Sequence, residues 1–309
     1  MLWAILSGAA AVTNAVYFIT HKEFLKKLDA NLLAACDFFC IAAFLFVLSL
    51  SNGIPATTGP LFLPAILITT ILNVVATMLI FRALTISDIS LAIPMLSFTP
   101  LFLIATAFFL LGELPSVEGT LGIIIIVAGS YILNTAAEHT RLSDPFRTMY
   151  TDKGVRIMLY VAFLYSIAIN FDKMVVLESD VFYGPAIVFL LLGIAFGILS
   201  VLSYRGFLPA VPGRLCQREL SRNGTTPATN WRYLAGAGIL TGMLVTIEAV
   251  CINSAYLVQI VPYVIALKRM SIILVVLYGT IVFQEGEILR RLTGAAMMVL
   301  GAVLILAFL

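Results

Sequence analysis

Three basic residues stand where an apolar chain tolerates charge least. Lys268 and Arg269 interrupt the run VPYVIALKRMSIILVV, and Lys173 follows Asp172 in INFDKMVVLES. Glu248 stands in the similarly apolar LVTIEAVCINS. A charge at the centre of a membrane-crossing helix costs about 3 kcal/mol on the lenient insertion scale, so it must face a polar cavity or a partner. Arg presents a planar bidentate fork and Lys a mobile point charge, a combination suited to phosphate or carboxylate oxygens. Neighbouring helical positions diverge by about 100°, so Lys268 and Arg269 do not point one way, although both can flank one inward edge. The expected substrate-binding set is Lys268, Arg269, Lys173, Asp172, Glu248, Tyr263, Asn170 and Asn14. The competing expectation is internal ion pairing, Glu248 with Lys268 or Arg269 and Asp172 with Lys173.

Other residues carry weaker expectations. Asp37 is a candidate proton-coupling carboxylate or a partner for Lys26, Lys27 or another interfacial base. Asn73 joins Asn14 and Asn170 as an amide that lines a cavity or ties helices together. Tyr17, Tyr165 and Tyr256, with Tyr263, can stack on a solute or sit at a membrane interface. Glu113 and Glu285 close hydrophobic runs and are expected to hydrogen-bond the start of the next helix. Pro94 and Pro262 are expected to kink helices and free carbonyls. His21 and His139 read as loop residues. Cys36 and Cys40, four apart on one helix face, read as packing residues rather than half of a zinc site. No Gly-rich phosphate loop, His-rich spacing or nucleophile with a base is present in the sequence, which argues against an enzyme, a cofactor and an ATP-driven pump.

The elements that must position these residues are set by composition. The chain is 61% hydrophobic and 11% charged, against about 25% charged in a soluble domain. Lipid, not water, is the solvent for such a surface. Ten runs long enough to cross a bilayer begin near Leu2, Asn31, Leu61, Ile89, Val117, Gly154, Val181, Trp231, Tyr256 and Leu292. On this reading Lys268 and Arg269 lie about a dozen residues into the ninth helix, roughly 15 Å deep. The ends of the sixth and eighth helices and the start of the ninth share one membrane side, so all five charged residues can meet in one half of a cavity. The first run lacks a basic leader and reads as a retained helix.

The chain also repeats itself. The segment starting at Phe81 aligns without a gap on the one starting at Asn253, placing Ala83 on Ala255, Glu113 on Glu285, Gly122 on Gly294 and Gly129 on Gly301, each 172 positions apart. Two halves of five helices follow, and because five is odd the second enters the membrane the opposite way round. The residues Phe81-Arg82-Ala83-Leu84, Leu111-Gly112-Glu113 and Gln284-Glu285, with those four glycines, give the chain a pattern that resembles the drug/metabolite transporter superfamily in its EamA-type form. That resemblance implies an all-α membrane protein: a first five-helix repeat over residues 1–140, a connecting loop over 141–153 and a second repeat over 154–309. It also implies two inverted halves around a central cavity that opens alternately to each side. The Lys268-Arg269 pair is similar to the pair with which plastid sugar-phosphate translocators of this superfamily hold phosphate, and Lys173 stands at a position similar to a further phosphate-binding lysine of theirs.

Fifteen of the 18 Lys and Arg residues flank the loops that follow odd-numbered helices. The positive-inside rule makes that side cytoplasmic and places both termini outside, whereas relatives are usually drawn with both termini inside. The leading reading is a secondary transporter of a small polar metabolite in the plasma (inner) membrane. Its cargo can be anionic, phosphorylated or carboxylated, and its mode facilitated, exchange-type or coupled to a proton or other ion. Its partners are then the metabolite and the lipid bilayer, with no nucleic acid, since there is no basic tract. The alternative is a membrane-embedded enzyme or flippase acting on a lipid-linked substrate, for which Asp172 and Glu248 would be the only start of a catalytic cluster.

Overall fold

In hydrocarbon a backbone has no water to bond, so an apolar run closes its own hydrogen bonds as a helix. The computed structural model describes residues 1–25, 28, 30–87, 92–137, 151–205, 231–283 and 288–308. Those residues form ten helical spans and no strands. They are α1 (Leu2–Leu25), α2 (Ala30–Asn52), α3 (Phe62–Ile86), a 3₁₀ segment (Ile93–Phe98) continued by α4 (Thr99–Leu111), and α5 (Val117–Ala137). The remainder are α6 (Lys153–Leu177), α7 (Tyr183–Tyr204), α8 (Trp231–Tyr256), α9 (Val261–Lys268) continued by α10 (Ser271–Phe283), and α11 (Ile288–Ala307). Large apolar side chains such as Leu63, Phe109 and Leu300 project outward, as a lipid solvent permits. The chain is a multi-pass membrane protein.

Most spans begin within a few residues of expectation. The ninth is displaced: Tyr256 is the last residue of α8, and the span begins at Val261. It is also not one helix. After Lys268 the backbone tightens at Arg269–Met270, where Met270 N–H bonds Leu267 O and Ile272 N–H bonds Arg269 O, three residues back in each case. The fourth span changes from 3₁₀ to α at Phe98–Thr99. Pro100 explains that junction, because it has no N–H to give the carbonyl of Leu96 and its ring crowds it. Pro262 does not kink a helix as expected, and Pro94 opens the 3₁₀ segment. Each stands in the first positions of its element, where a missing N–H costs nothing.

Packing follows the small residues. Helices α5 and α11 cross antiparallel over their glycines: a Cβ on Gly122 would lie 2.8 Å from Gly301 O, and one on Gly129 would lie 2.6 Å from Gly294 O. The reverse contacts hold too, Gly294 against Gly129 O at 2.9 Å and Gly301 against Gly122 O at 2.6 Å. Cys36 and Cys40 of α2 lie against Gly238 and Gly242 of α8. The other main neighbours are α1 with α8, α3 with α6, α2 with α7, α1 with α9 and α10, and α6 with the 3₁₀ segment and α4.

The loops after the even-numbered spans meet at one face. Gly59 N–H donates to Glu178 O at 2.8 Å, Asn253 Nδ2 to Val181 O at 3.2 Å, and Val261 N–H to Glu113 Oε2 at 2.7 Å. Trp3, close to the N-terminus, stacks on Tyr263 at the same face, with ring centroids 6.4 Å apart.

Candidate functional site

Charges enter an apolar bundle only where helices leave space between them. A cavity of about 280 Å³ opens between α2, α3, α6, α7, α8 and α9. Its lining lies mainly in the halves of these helices nearer the even-loop face. One wall is apolar and aromatic, built by Phe38, Phe189, Leu192 and Phe196; the other carries Asp172, Glu248, Lys268, Asn73 and Tyr165.

Of the expected set, Asp172, Glu248 and Lys268 line this cavity. Lys268 Nζ lies 2.5 Å from Glu248 Oε1, so this internal pair forms, and it forms at the cavity wall. The Glu248 side chain is 8% exposed against 30% for Lys268, which leaves the ammonium as the accessible partner. Asn14 of α1 completes the carboxylate by donating Nδ2–H to Glu248 Oε2 at 2.9 Å. On the same wall, Asp172 Oδ1 accepts from Thr69 Oγ1 at 2.5 Å, and Thr69 Oγ1 in turn accepts from Asn73 Nδ2 at 3.1 Å. The expected pairing of Asp172 with Lys173 does not occur, because adjacent helical residues face about 100° apart.

Lys173 points away from the cavity. Its Nζ lies 2.5 Å from Glu113 Oε1 and donates to Gln259 O at 2.8 Å. Glu113 therefore bonds α9 and α6, not the start of the next helix, α5, as expected. Tyr263 also serves this corner: its hydroxyl accepts from Ser116 N–H at 2.9 Å. Arg269 sits at the break in the ninth span, outside the cavity lining, and Nη2 donates to Leu96 O at 3.3 Å. That is the carbonyl deprived by Pro100. Asn170 ties α6 to α4 through Thr106 Oγ1 at 3.0 Å and is fully buried. The eight expected residues thus divide between a cavity group, a corner clamp and two helix ties.

A second polar group lies toward the odd-loop side. Asp37 accepts from Thr241 Oγ1 at 2.6 Å, and its other oxygen lies 3.2 Å from His21 Nδ1. His21 is therefore a helical residue of α1 with a buried partner, not a loop residue. Lys26 and Lys27, expected partners of Asp37, lie outside the described residues, as do His139, Cys216 and Glu285. Among the described residues no group of His, Cys, Asp and Glu is arranged to hold a metal. Thr69, Thr77, Asn253 and Thr241 were not singled out in the sequence; a hydroxyl in an apolar helix commonly bonds its own backbone, which hides the few that bond a neighbour.

The fold and its charged cavity define a multi-pass membrane protein, with ten spans among the described residues and polar side chains inside the bundle. Residues 1–135 match the model of the EamA-like transporter family. An uncharacterized transporter of Archaeoglobus fulgidus is 34% identical over 128 residues. That stretch covers 40% of this chain and 44% of the relative. A crystal structure described only as that of a protein superposes with a TM-score of 0.72 over 99% of this chain and 96% of its own, at 15% identity, a likeness of fold.

Proposed function

We propose that this chain is a secondary transporter that moves a small polar metabolite across the membrane by alternating access between two inverted halves, residues 1–140 and 154–309. The cavity carries the reading. At about 280 Å³ it falls at the small end of ligand pockets, near 300 Å³, and it holds a charged group that an apolar bundle would otherwise exclude. Its walls come from both halves, which alternating access requires.

Two observations support the inversion. Exchanging each span with the one five places later maps the main neighbour pairs onto one another: first with eighth onto sixth with third, and first with ninth onto sixth with fourth. The glycine contacts obey the same exchange, Gly122 on Gly301 becoming Gly294 on Gly129.

The cargo carries a phosphate or carboxylate, which takes the place of Glu248 on the Lys268 ammonium. Amides and hydroxyls of Asn73, Tyr165 and Asn253 meet its other polar groups. A thermal-shift screen of metabolites against purified protein and Lys268→Met tests this. Phosphorylated or carboxylated compounds at about 100 times their Kd stabilise by about 2.7 kcal/mol, raising the Tm of the native protein and leaving the variant unmoved. Stabilisation by no anion removes the anionic reading; equal stabilisation of both proteins removes Lys268 from it.

The Lys and Arg distribution supports cytoplasmic odd-numbered loops, with both termini on the outer face of the plasma membrane. A fluorescent protein that matures only in the cytoplasm stays dark when fused to the C-terminus; bright cells reverse the orientation.

A further inference from the structure

Between the cavity and the His21–Asp37 pair stand polar side chains that transport of a solute does not by itself require. Helix α1 carries Asn14, Tyr17 and His21 at positions i, i+3 and i+7, one face of a helix. Helix α8 carries Thr241 and Glu248 seven residues apart, which is about 10 Å, or two turns. These two faces meet, since Asn14 bonds Glu248 at the cavity end, and Asp37 bridges His21 of α1 to Thr241 of α8 at the other. Tyr17 occupies the interval. Its ring lies 4.9 Å from that of His21, and its phenol is within electrostatic reach of both Asp37 and Glu248.

Burial sharpens the contrast along this line. Asp37 is 3% exposed and His21 17%, so the imidazole is the member of the pair that meets solvent, beside the exposed Lys22 and Glu23 at the odd-loop end of α1. The groups around the pair are Tyr17 on α1, Cys36 and Cys40 on α2, and Thr241 on α8. Helix α7 meets α2 with rings and aliphatic side chains, among them Phe189, Phe196, Ala186 and Leu192. Lys22, Glu23 and Arg232, near the ends of α1 and α8, are engaged in contacts of their own. Glu248 faces Asn14 on α1 and Lys268 on α9.

We propose that His21 and Asp37, held by Thr241, form a proton-binding site on the odd-loop side, linked through Tyr17 and Asn14 to Glu248, and that solute movement is coupled to this proton. The proposal rests on the carrier reading and adds its driving ion. A proton entering from the odd-loop side is shared by the imidazole and the Asp37 carboxylate. In transfer, Tyr17 gives its phenolic proton to Glu248 and regains one from the pair, so one proton leaves the pair as one arrives at Glu248. Glu248 becomes a neutral acid, its ion pair with Lys268 is lost, and the ammonium is released to the cavity. Protonation on one side of the membrane thereby sets the charge of the solute site.

The chain supplies its own reporter. Trp231→Phe leaves Trp3 as the sole tryptophan, stacked on Tyr263 at the even-loop face. In this background the Trp3 emission is expected to change reversibly, by at least a quarter of its intensity, between pH 5.5 and 8.5. His21→Gln and Asp37→Asn flatten the curve, and Glu248→Gln flattens it as well by removing the acceptor. Thr20→Val, at a hydroxyl that bonds Val16 O of its own helix at 2.7 Å, keeps every titrating group and keeps the response. Each variant is read only if it elutes as a monodisperse peak, and either His21→Gln or Asp37→Asn alone suffices. A flat curve in the parent, or a curve that survives in His21→Gln or Asp37→Asn, overturns the proposal. No solute enters this measurement, so its failure leaves the metabolite screen standing, and failure of the screen leaves this result intact.

Discussion

The fourth and ninth spans break at matching positions and carry opposite contents. Leu96, Ser97, Phe98 and Thr99 stand 172 residues before Lys268, Arg269, Met270 and Ser271, and both backbones change course at the third of these. In the ninth span the two residues before the turn are charged; in the fourth they are a leucine and a serine bonded to Asn134 at 2.8 Å. Arg269, at the counterpart of Ser97, reaches across to the carbonyl of Leu96, the counterpart of Lys268. On the proposed inverted repeat, repetition accounts for the architecture and departure from it for the charge.

The largest expected effect tests the shared scaffold. Gly129→Leu and Gly301→Leu each place a Cβ 2.6 Å from a backbone oxygen that cannot yield, so each should abolish the yield of monodisperse protein. Gly236→Leu, whose Cβ would meet nothing within 4 Å, should purify normally. Loss in only one member of the glycine pair would show that the two crossings are not equivalent. A smaller effect tests the asymmetry. Arg269→Met removes a charged hydrogen bond, worth about 1.5–3 kcal/mol, whereas Ser97→Ala removes a neutral one worth about 1 kcal/mol. The Tm should fall further in the first; equal falls would make Arg269 an ordinary helix tie. The smallest effect separates the causes of the two breaks. Pro100→Ala restores an N–H able to bond Leu96 O, and the Tm should shift by no more than about 1 kcal/mol in equivalent stability, within the range for a compatible proline site. A loss as large as that of Arg269→Met would mean that the proline fixes the seam itself.

The spans, and the pairing of Glu248 with one of Lys268 and Arg269, were legible because hydropathy reports depth, and two opposite charges at one depth in hydrocarbon have strong reason to meet. What stayed hidden depends on which helices are neighbours. Lys173 finds Glu113 sixty residues away, and Asn14 finds Glu248 at a separation of 234. Depth alone offered Lys173 the adjacent Asp172 instead. The break after Lys268 also left no mark, since no proline or glycine stands at Arg269 or Met270. His21 was misplaced because a histidine next to lysine and glutamate at the edge of an apolar run looks like a loop, and only Asp37 on another helix makes its position internal.

The carboxylate of Glu113 has a consequence for motion at the even-loop face. One of its oxygens holds the lysine of α6 and the other holds the first amide of α9. Helix α6 cannot swing away without stranding a carboxylate that α9 still touches, whereas α9 leaves an ion pair behind it and gives up only the amide bond to Glu113 and the bond from Lys173 to Gln259 O. The corner is thus a latch with one stiff side and one yielding side.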